Sequence, residues 1–150
     1  MASSAEGADL SGVRLLVFRV AELACAVRAV LVREIVPGLS ATRIPGAVDA
    51  VVGLINVRGH LMTLVDSRRA LGYPPEEHHG PIILLDVARQ TVGLKVDSVV
   101  DLFSITGDNL VDSYDLPGID SRFVEAVGRR DGVSFVLLDI DALLTPILIA

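Results

Sequence analysis

The segment from residue 50 to residue 66 constrains the fold more than any other part of the chain. Two apolar runs, 50–57 and 61–65, are separated only by Arg58-Gly59-His60. Each run is shorter than a typical helix and rich in Val, Ile and Leu, so both predict β-strands. Gly59 can adopt the positive φ that a tight reversal requires. The segment therefore predicts a β-hairpin with Arg58 at its tip.

The rest of the chain repeats this pattern of short apolar runs separated by turn residues. The predicted strands cover residues 13–20, 23–29, 30–36, 50–57, 61–65, 82–87, 91–96, 99–105, 122–127 and 133–138. One helical turn is predicted at 67–71, and a short terminal helix at 139–144 begins at an N-cap Asp139 and stops near Pro146. This arrangement indicates an all-β protein, either a sandwich or small barrels.

The length of 150 residues suits one domain. The Pro- and Gly-containing loops at 37–46 and 72–81 are too short to link separate domains. Residues 1–11 are small and polar, so we expect a flexible N-terminal tail followed by a single domain over residues 12–150.

Charge and composition argue against nucleic acid as a partner. The net charge is −6, so a phosphate backbone is not attracted globally, and four Phe, two Tyr and no Trp provide few stacking surfaces. The segment 97–121 contains six acidic residues and no Lys or Arg. This number equals the excess of 19 acidic over 13 basic residues in the whole chain. The six are Asp97, Asp101, Asp108, Asp112, Asp115 and Asp120. Such a segment is either a solvated loop or an acidic face for a basic partner.

The cysteine and the N-terminus indicate the compartment. Cys25 is the only cysteine, which excludes an internal disulfide, and its apolar run at 23–27 predicts a buried thiol. The first residues show no secretory signal, and no run approaches 18 apolar residues. We therefore expect a cytoplasmic protein without membrane insertion.

The sequence contains none of the common catalytic motifs. There is no G-x-S-x-G, P-loop, G-x-G-x-x-G or C-x-x-C. Asp66, Asp86 and Asp97 each follow an apolar strand, where a carboxylate can be catalytic but more often caps a turn. We therefore predict that the chain is not an enzyme and has no catalytic residue, cofactor or metal.

A remote alternative is a small metal-dependent enzyme. His78 and His79 lie beside Glu76 and Glu77 in a loop bounded by prolines, and such side chains can bind a metal. Solvated loop residues explain the same pattern.

Arg58 has two interpretations. It is either a polar residue placed at a solvent-facing turn or an interaction anchor, since Arg is enriched at binding hot spots. Flanking Asn56 and His60 could orient it, and the neighbouring apolar residues would provide rigid surroundings. The pattern alone leaves both open.

Several segments together resemble one known family. The stretch Gly53-Leu54-Ile55-Asn56-Val57-Arg58-Gly59, followed by an apolar strand and Val65-Asp66-x-Arg68, resembles the central motif of CheW-like domains, the adaptor scaffolds of bacterial chemosensory arrays. Four further segments agree in order: 13–18, the V-x-E-[IV] segment at 32–36, the VGLxVDxV strand at 92–99, and the ending at 127–140. The resemblance covers roughly residues 13–145.

The resemblance implies a fold, partners and site residues. The fold would be two small five-stranded β-barrel subdomains packed around a shared hydrophobic core, with a short C-terminal helix. The function would be that of a chemotaxis adaptor in a two-component system, binding the regulatory domain of a CheA-type histidine kinase and the cytoplasmic tip of a chemoreceptor, with possible ring-like assembly with other CheW-like domains. The positions implied for receptor or kinase binding are Val32, Glu34, Gly53, Asn56, Arg58, Gly59 and Gly128.

The chain departs from the family pattern at two positions after the Arg-Gly turn. Thr63 stands where a Pro is common, and Ser67 stands where Leu usually follows the Asp. The 74–81 loop is also individual. An adaptor in a non-chemotaxis kinase pathway, controlling surface motility or a second messenger, and a stand-alone structural protein both stay open as alternatives.

Overall fold

The computed structural model describes residues 12–77, 79–112 and 118–149. The predicted tail at 1–11, His78 and Asp115 lie outside the described residues. The strands are β1 (Val13–Val20), β2 (Leu23–Arg28), β3 (Val32–Val36), β4 (Val51–Val57), β5 (His60–Asp66), β6 (Ile82–Val87), β7 (Gln90–Lys95), β8 (Ser98–Ile105), β9 (Leu110–Asp112), β10 (Val124–Arg130) and β11 (Val133–Leu138). The helices are α1 (Ser67–Ala70) and α2 (Ile140–Leu148), with 3-10 turns at Ala29–Leu31, Gly107–Asn109 and Ser121–Phe123.

The strands form two sheets. One has six strands in the order β8-β1-β2-β11-β10-β9, and the other has five in the order β3-β6-β7-β5-β4. Neighbouring strands are antiparallel except for the pairs β11–β2 and β5–β7. The five-stranded sheet is built from consecutive strands and is inserted in the chain between β2 and β8. The prediction of an all-β fold with a short C-terminal helix is confirmed.

The two predicted five-stranded β-barrel subdomains are observed as two open sheets, one of five strands and one of six. The described strands form open sheets, because the two outer strands of each sheet do not pair with each other. These outer strands are β8 and β9 in one sheet and β3 and β4 in the other. One sheet has six strands because β9 pairs with β10 through Val127 and Val111. This strand lies in the acidic segment, where the sequence carries no apolar alternation to predict it.

Helix α2 also extends further than predicted. It begins after Asp139, whose side chain accepts a hydrogen bond from the Ala142 N–H, as the N-cap prediction requires. It then continues through Pro146 to Leu148, and the N–H of Ile149 still donates to the carbonyl of Thr145 at 3.1 Å. Pro146 has no N–H to donate to the carbonyl of Ala142, but the helix continues for two residues beyond it.

Three hydrophobic clusters cover the faces of the two sheets. One cluster lies on one face of the five-stranded sheet and includes Ile55 and Leu64, and a second lies on one face of the six-stranded sheet and includes Val17 and Phe135. The third lies between the sheets and α2, and includes Phe18. Because both faces of the central strands are buried, their sequences are continuous apolar runs rather than alternating ones. The predicted shared core is therefore confirmed.

Cys25 belongs to the cluster between the sheets and is fully buried, as predicted. Burial raises the pKa of its thiol to about 12, because an apolar environment disfavours the thiolate. The thiol is therefore a packing group rather than a nucleophile.

Among the described residues, no helix has the length and apolarity needed to cross a membrane.

Candidate functional site

The hairpin β4–β5 reverses in two residues. Val57 pairs directly with His60, so Arg58 and Gly59 form the turn and His60 already belongs to β5. Their φ values are 50° and 86°, the left-handed conformation that tight hairpin turns with the twist of the sheet require. The Asn56 side-chain oxygen accepts a hydrogen bond from the Gly59 N–H at 2.8 Å, which fixes the turn from one side.

Arg58 lies exposed at the hairpin tip, as predicted, and forms an ion pair. Its Nη2 donates to Oε1 of Glu34 in β3, with the Arg58 and Glu34 side chains 67% and 36% exposed. Strand β3 is at the opposite end of the sheet order from β4, so this contact joins the two ends of the curled sheet. The structure therefore brings Glu34, Asn56, Arg58 and Gly59 together at one place.

The other residues implied by the resemblance have different surroundings. Val32 is half-buried, pairs with Leu85 and packs against the core between the sheets. Gly53 is buried, and a Cβ there would lie 2.2 Å from the carbonyl oxygen of Thr42. Gly128 is buried in the other sheet, and a Cβ there would lie 2.2 Å from Phe135 Cζ. The two glycines thus permit close packing beneath the surface.

The ion pair lies beside an open cleft of about 420 Å³. The cleft combines apolar walls with a charged rim, and its walls and rim include Leu54, Val57, Met62 and Leu84 together with Arg33, Glu34, Arg58 and His60. Leu61 also lines the cleft and is 67% exposed. Such an open, amphipathic surface suits protein side chains better than a small molecule, which binds in an enclosed pocket.

A second exposed surface was not predicted from the sequence. The edge strand β8 exposes Val100 and Leu102, and Val30 in the 3-10 turn after β2 is 83% exposed. The turn carrying Val30 contacts β1, which pairs with β8 through Leu16 and Leu102. We name Val30, Val100 and Leu102 the apolar edge. Sequence patterns do not distinguish an edge strand from a central one, so the exposure of Val100 and Leu102 could not be predicted.

The acidic segment does not form one uniform face. Asp97 is paired with Arg68, and Asp120 is paired with Arg122. The guanidinium of Arg122 and a backbone N–H of the same residue hold the pKa of Asp120 down at about 2. Asp101 and Asp108 are exposed, whereas the Asp112 side chain and Asp115 lie outside what the structure describes.

The three carboxylates predicted to follow strands act as caps or ion-pair partners, although Asp86 lies inside β6 and not after it. Buried Asp66 accepts a hydrogen bond from the Arg68 N–H at 3.0 Å and begins α1, which confirms the predicted capping role. Asp86 accepts from Nε of Arg33 at 2.8 Å. In the described ranges no group of three His, Cys, Asp or Glu side chains could hold a metal. Of the two histidines named for a metal site, His79 is described and His78 lies outside these ranges.

Comparisons with known proteins agree on one family. A sequence model described as the CheW-like domain matches residues 14–147. The chain is 30% identical over 146 residues to the chemotaxis protein CheW of Rhizobium meliloti (strain 1021), covering 95% of this chain and 94% of the relative. It is 28% identical over 132 residues to the probable chemotaxis protein CheW of Rhizobium etli, covering 86% and 85%.

A solved structure shows the same fold. The crystal structure of the scaffolding protein TtCheW from Thermoanaerobacter tengcongensis superposes with a TM-score of 0.82 and 25% sequence identity, covering 88% of this chain and 92% of that one. The family model, the two relatives and the solved structure all indicate the same family. The chain belongs to the CheW-like domain family.

Proposed function

We propose that the protein is a non-enzymatic chemotaxis scaffold that couples the cytoplasmic tip of a chemoreceptor to the regulatory domain of a CheA-type histidine kinase. The observation that carries this proposal is the family match over residues 14–147, which contains the whole ordered motif set except Val13 at its start. The relatives named chemotaxis protein CheW and the scaffolding protein TtCheW support it. Such a protein would act in the cytoplasm, where the kinase and the receptor tip meet.

The surfaces of the molecule suit an adaptor. The segment from Val30 to Glu34 leads from the apolar edge to the ion pair with Arg58, so one residue of each exposed feature lies on this short stretch of chain. An amphipathic helix binds by placing its apolar face on such a surface, and an Arg at the margin adds directional hydrogen bonds. We therefore assign the receptor tip to the apolar edge, Val32, Glu34 and Arg58.

The remaining implied residues have supporting roles in this proposal. Asn56 and Gly59 hold the turn that presents Arg58, and Gly53 and Gly128 allow the backbone and core to pack beneath the two surfaces. Ring-like assembly with other CheW-like domains would use the unpaired strands at the sheet ends, since open edges pair with further strands. The kinase regulatory domain is itself CheW-like and would meet such an edge.

The direct test is a binding measurement with both partners. The purified protein is titrated calorimetrically with the kinase regulatory domain and, separately, with a receptor signalling fragment from the same genome. We expect saturable binding of each, and simultaneous binding when both are present. Binding to neither partner overturns the proposal, and binding to the kinase domain alone overturns the receptor assignment.

A further inference from the structure

Arg68 and Asp97 form a bidentate ion pair at the junction of the two sheets. Nε of Arg68 donates to Oδ1 of Asp97 at 3.1 Å, and Nη2 donates to Oδ2 at 2.6 Å. The two side chains are only 16% and 22% exposed. The same Oδ2 accepts a hydrogen bond from the Ala21 N–H at 3.0 Å, and the Asp97 N–H donates to the carbonyl of Arg19 at 2.9 Å.

These contacts join segments that belong to different sheets. Arg68 lies in α1, directly after β5 of the five-stranded sheet. Ala21 lies in the turn between β1 and β2 of the six-stranded sheet, with a left-handed φ of 55°. Asp97 lies between β7 and β8, where the chain passes from one sheet to the other. We name Arg68, Asp97 and Ala21 the clasp.

The clasp also connects the two exposed features of the proposed receptor site. Strand β5 runs from the Arg58–Gly59 turn to α1, so the hairpin tip and Arg68 lie at opposite ends of one strand. Strand β8 starts at Ser98, next to Asp97, and carries Val100 and Leu102 of the apolar edge. A change in the clasp would therefore move the hairpin tip relative to the apolar edge.

We propose that the clasp is a positioning element that sets the orientation of the two sheets and thereby aligns the hairpin tip with the apolar edge; this inference rests on the proposed function. The contact between the sheets is otherwise largely apolar, and hydrophobic contact is non-directional. A bidentate pair between guanidinium and carboxylate has a fixed geometry that an ammonium cannot reproduce. The clasp therefore fixes the relative orientation of the two sheets, which non-directional apolar contacts leave undefined.

A local ion pair elsewhere in the chain provides a matched control. Arg122 donates to Asp120 through Nε and Nη2 as well, at 3.0 Å and 2.5 Å to Oδ2, but the two residues are neighbours within one segment. The test variants are Asp97→Asn and Arg68→Lys, and the controls are Asp120→Asn and Arg122→Lys. The same two substitutions are thus made once between the sheets and once within a segment. Arg68 differs from Arg122 in having a second acidic partner, since its Nη2 also lies 2.8 Å from Oε1 of Glu76.

The variants are compared by three measurements on the full chain. Residual dipolar couplings report the angle between the sheets, calorimetry reports the affinity for the receptor signalling fragment, and urea unfolding reports stability. We expect both clasp variants to fold, to change the fitted angle between the sheets, and to bind the receptor fragment about tenfold more weakly, or about 1.4 kcal/mol. The control variants keep the wild-type angle and affinity.

The outcomes separate this inference from the function on which it rests. Wild-type protein that binds no receptor fragment overturns the proposed function. Clasp variants that keep the wild-type angle and affinity overturn the positioning role, even if they unfold at lower urea concentration. If neither Asp97→Asn nor Arg68→Lys folds, the pair is required for stability itself, and the positioning role is overturned as well.

Discussion

The guanidinium of Arg58 is hydrogen-bonded to the carboxylate of Glu34. Glu34 lies in β3 and Arg58 follows β4, and these two strands are at opposite ends of the five-stranded sheet. The sheet is open by its backbone pairing, yet these two side chains bridge its ends. The pair is largely exposed, so it contributes little to the free energy of unfolding. Its value lies in holding the Arg58 side chain in one orientation at the hairpin tip.

Arg58→Glu is expected to weaken binding of the receptor fragment by about tenfold or more, as the loss of a hot-spot arginine does. The free energy of unfolding should change by less than about 1 kcal/mol, because the side chain is exposed and only a surface ion pair is lost. Calorimetry and urea unfolding measure the two quantities. An unfolded variant would show that Arg58 is structural instead.

Two further variants sharpen the test of Arg58. Arg89→Glu changes an exposed arginine that also has a positive φ, 65°, in the β6–β7 turn of the same sheet, and it should bind normally. Exchanging the pair in the double variant with Glu34→Arg and Arg58→Glu restores opposite charges but not the guanidinium at the tip. Recovery of binding by this exchange would mean that the partner does not contact Arg58 itself.

Gly53→Ala is expected to cost about 3 kcal/mol of unfolding free energy, at the upper end of the range for overpacking. The added Cβ would lie 2.2 Å from the Thr42 carbonyl oxygen, an atom of the backbone that is held by reciprocal hydrogen bonds of 2.8 Å with Leu54. Gly59→Ala is the comparison, because open space surrounds its Cβ and only its φ of 86° is strained, at about 1 kcal/mol. Equal costs in urea unfolding would contradict the close approach at Gly53.

Ser67→Ala is expected to leave the free energy of unfolding unchanged or to raise it by about 1 kcal/mol. The Ser67 hydroxyl oxygen is buried and has no hydrogen-bond partner within the part of the chain that the structure describes, and an unpaired buried polar group is costly. Ser104→Ala, in an exposed position of β8, should have no effect and serves as the control. A loss of more than about 1 kcal/mol at Ser67 would reveal a hydrogen bond made by the hydroxyl.

The pKa of Asp120 is expected at about 2 in the folded protein, below its ordinary value of 3.8, because Arg122 donates hydrogen bonds to the carboxylate. A folded pKa below the unfolded one stabilises the protein above pH 3.8, and this contribution disappears as the pH falls through 2. Carbon-detected NMR titration of the Asp120 carboxyl group measures this pKa. Arg122→Ala should return the pKa to its ordinary range, whereas Arg129→Ala should leave it unchanged.

Local patterns in the sequence predicted most of the backbone. Short runs of β-branched residues ending at turn residues predicted ten strands close to those observed, and Asp139 predicted the start of α2. Strand β9 was missed because three residues in an acidic segment form a strand only when β10 offers its edge. Val30 was predicted in a strand and lies in a 3-10 turn, since apolar content alone does not distinguish the two.

The candidate site was predicted only where the motif is local. The turn with Arg58 and Gly59 could be identified within a few residues of sequence, and so could its support by Asn56. The pairing of Arg58 with Glu34 and of Arg68 with Asp97 depends on how the sheets curl and pack, and each pair is separated by more than twenty residues. No spacing rule within one strand or helix connects such residues.

The insertion of one sheet into the other has a consequence for how the protein forms during synthesis. All five strands of one sheet, β3 to β7, leave the ribosome consecutively and can pair as they emerge. Strands β1 and β2 appear first, but their outer neighbours β8 and β11 appear only after β3 to β7 have been made. The first hairpin must therefore wait, with both edges open, until the last third of the chain is made. Nascent chains stalled before β8 would thus expose an apolar hairpin that chaperones can bind.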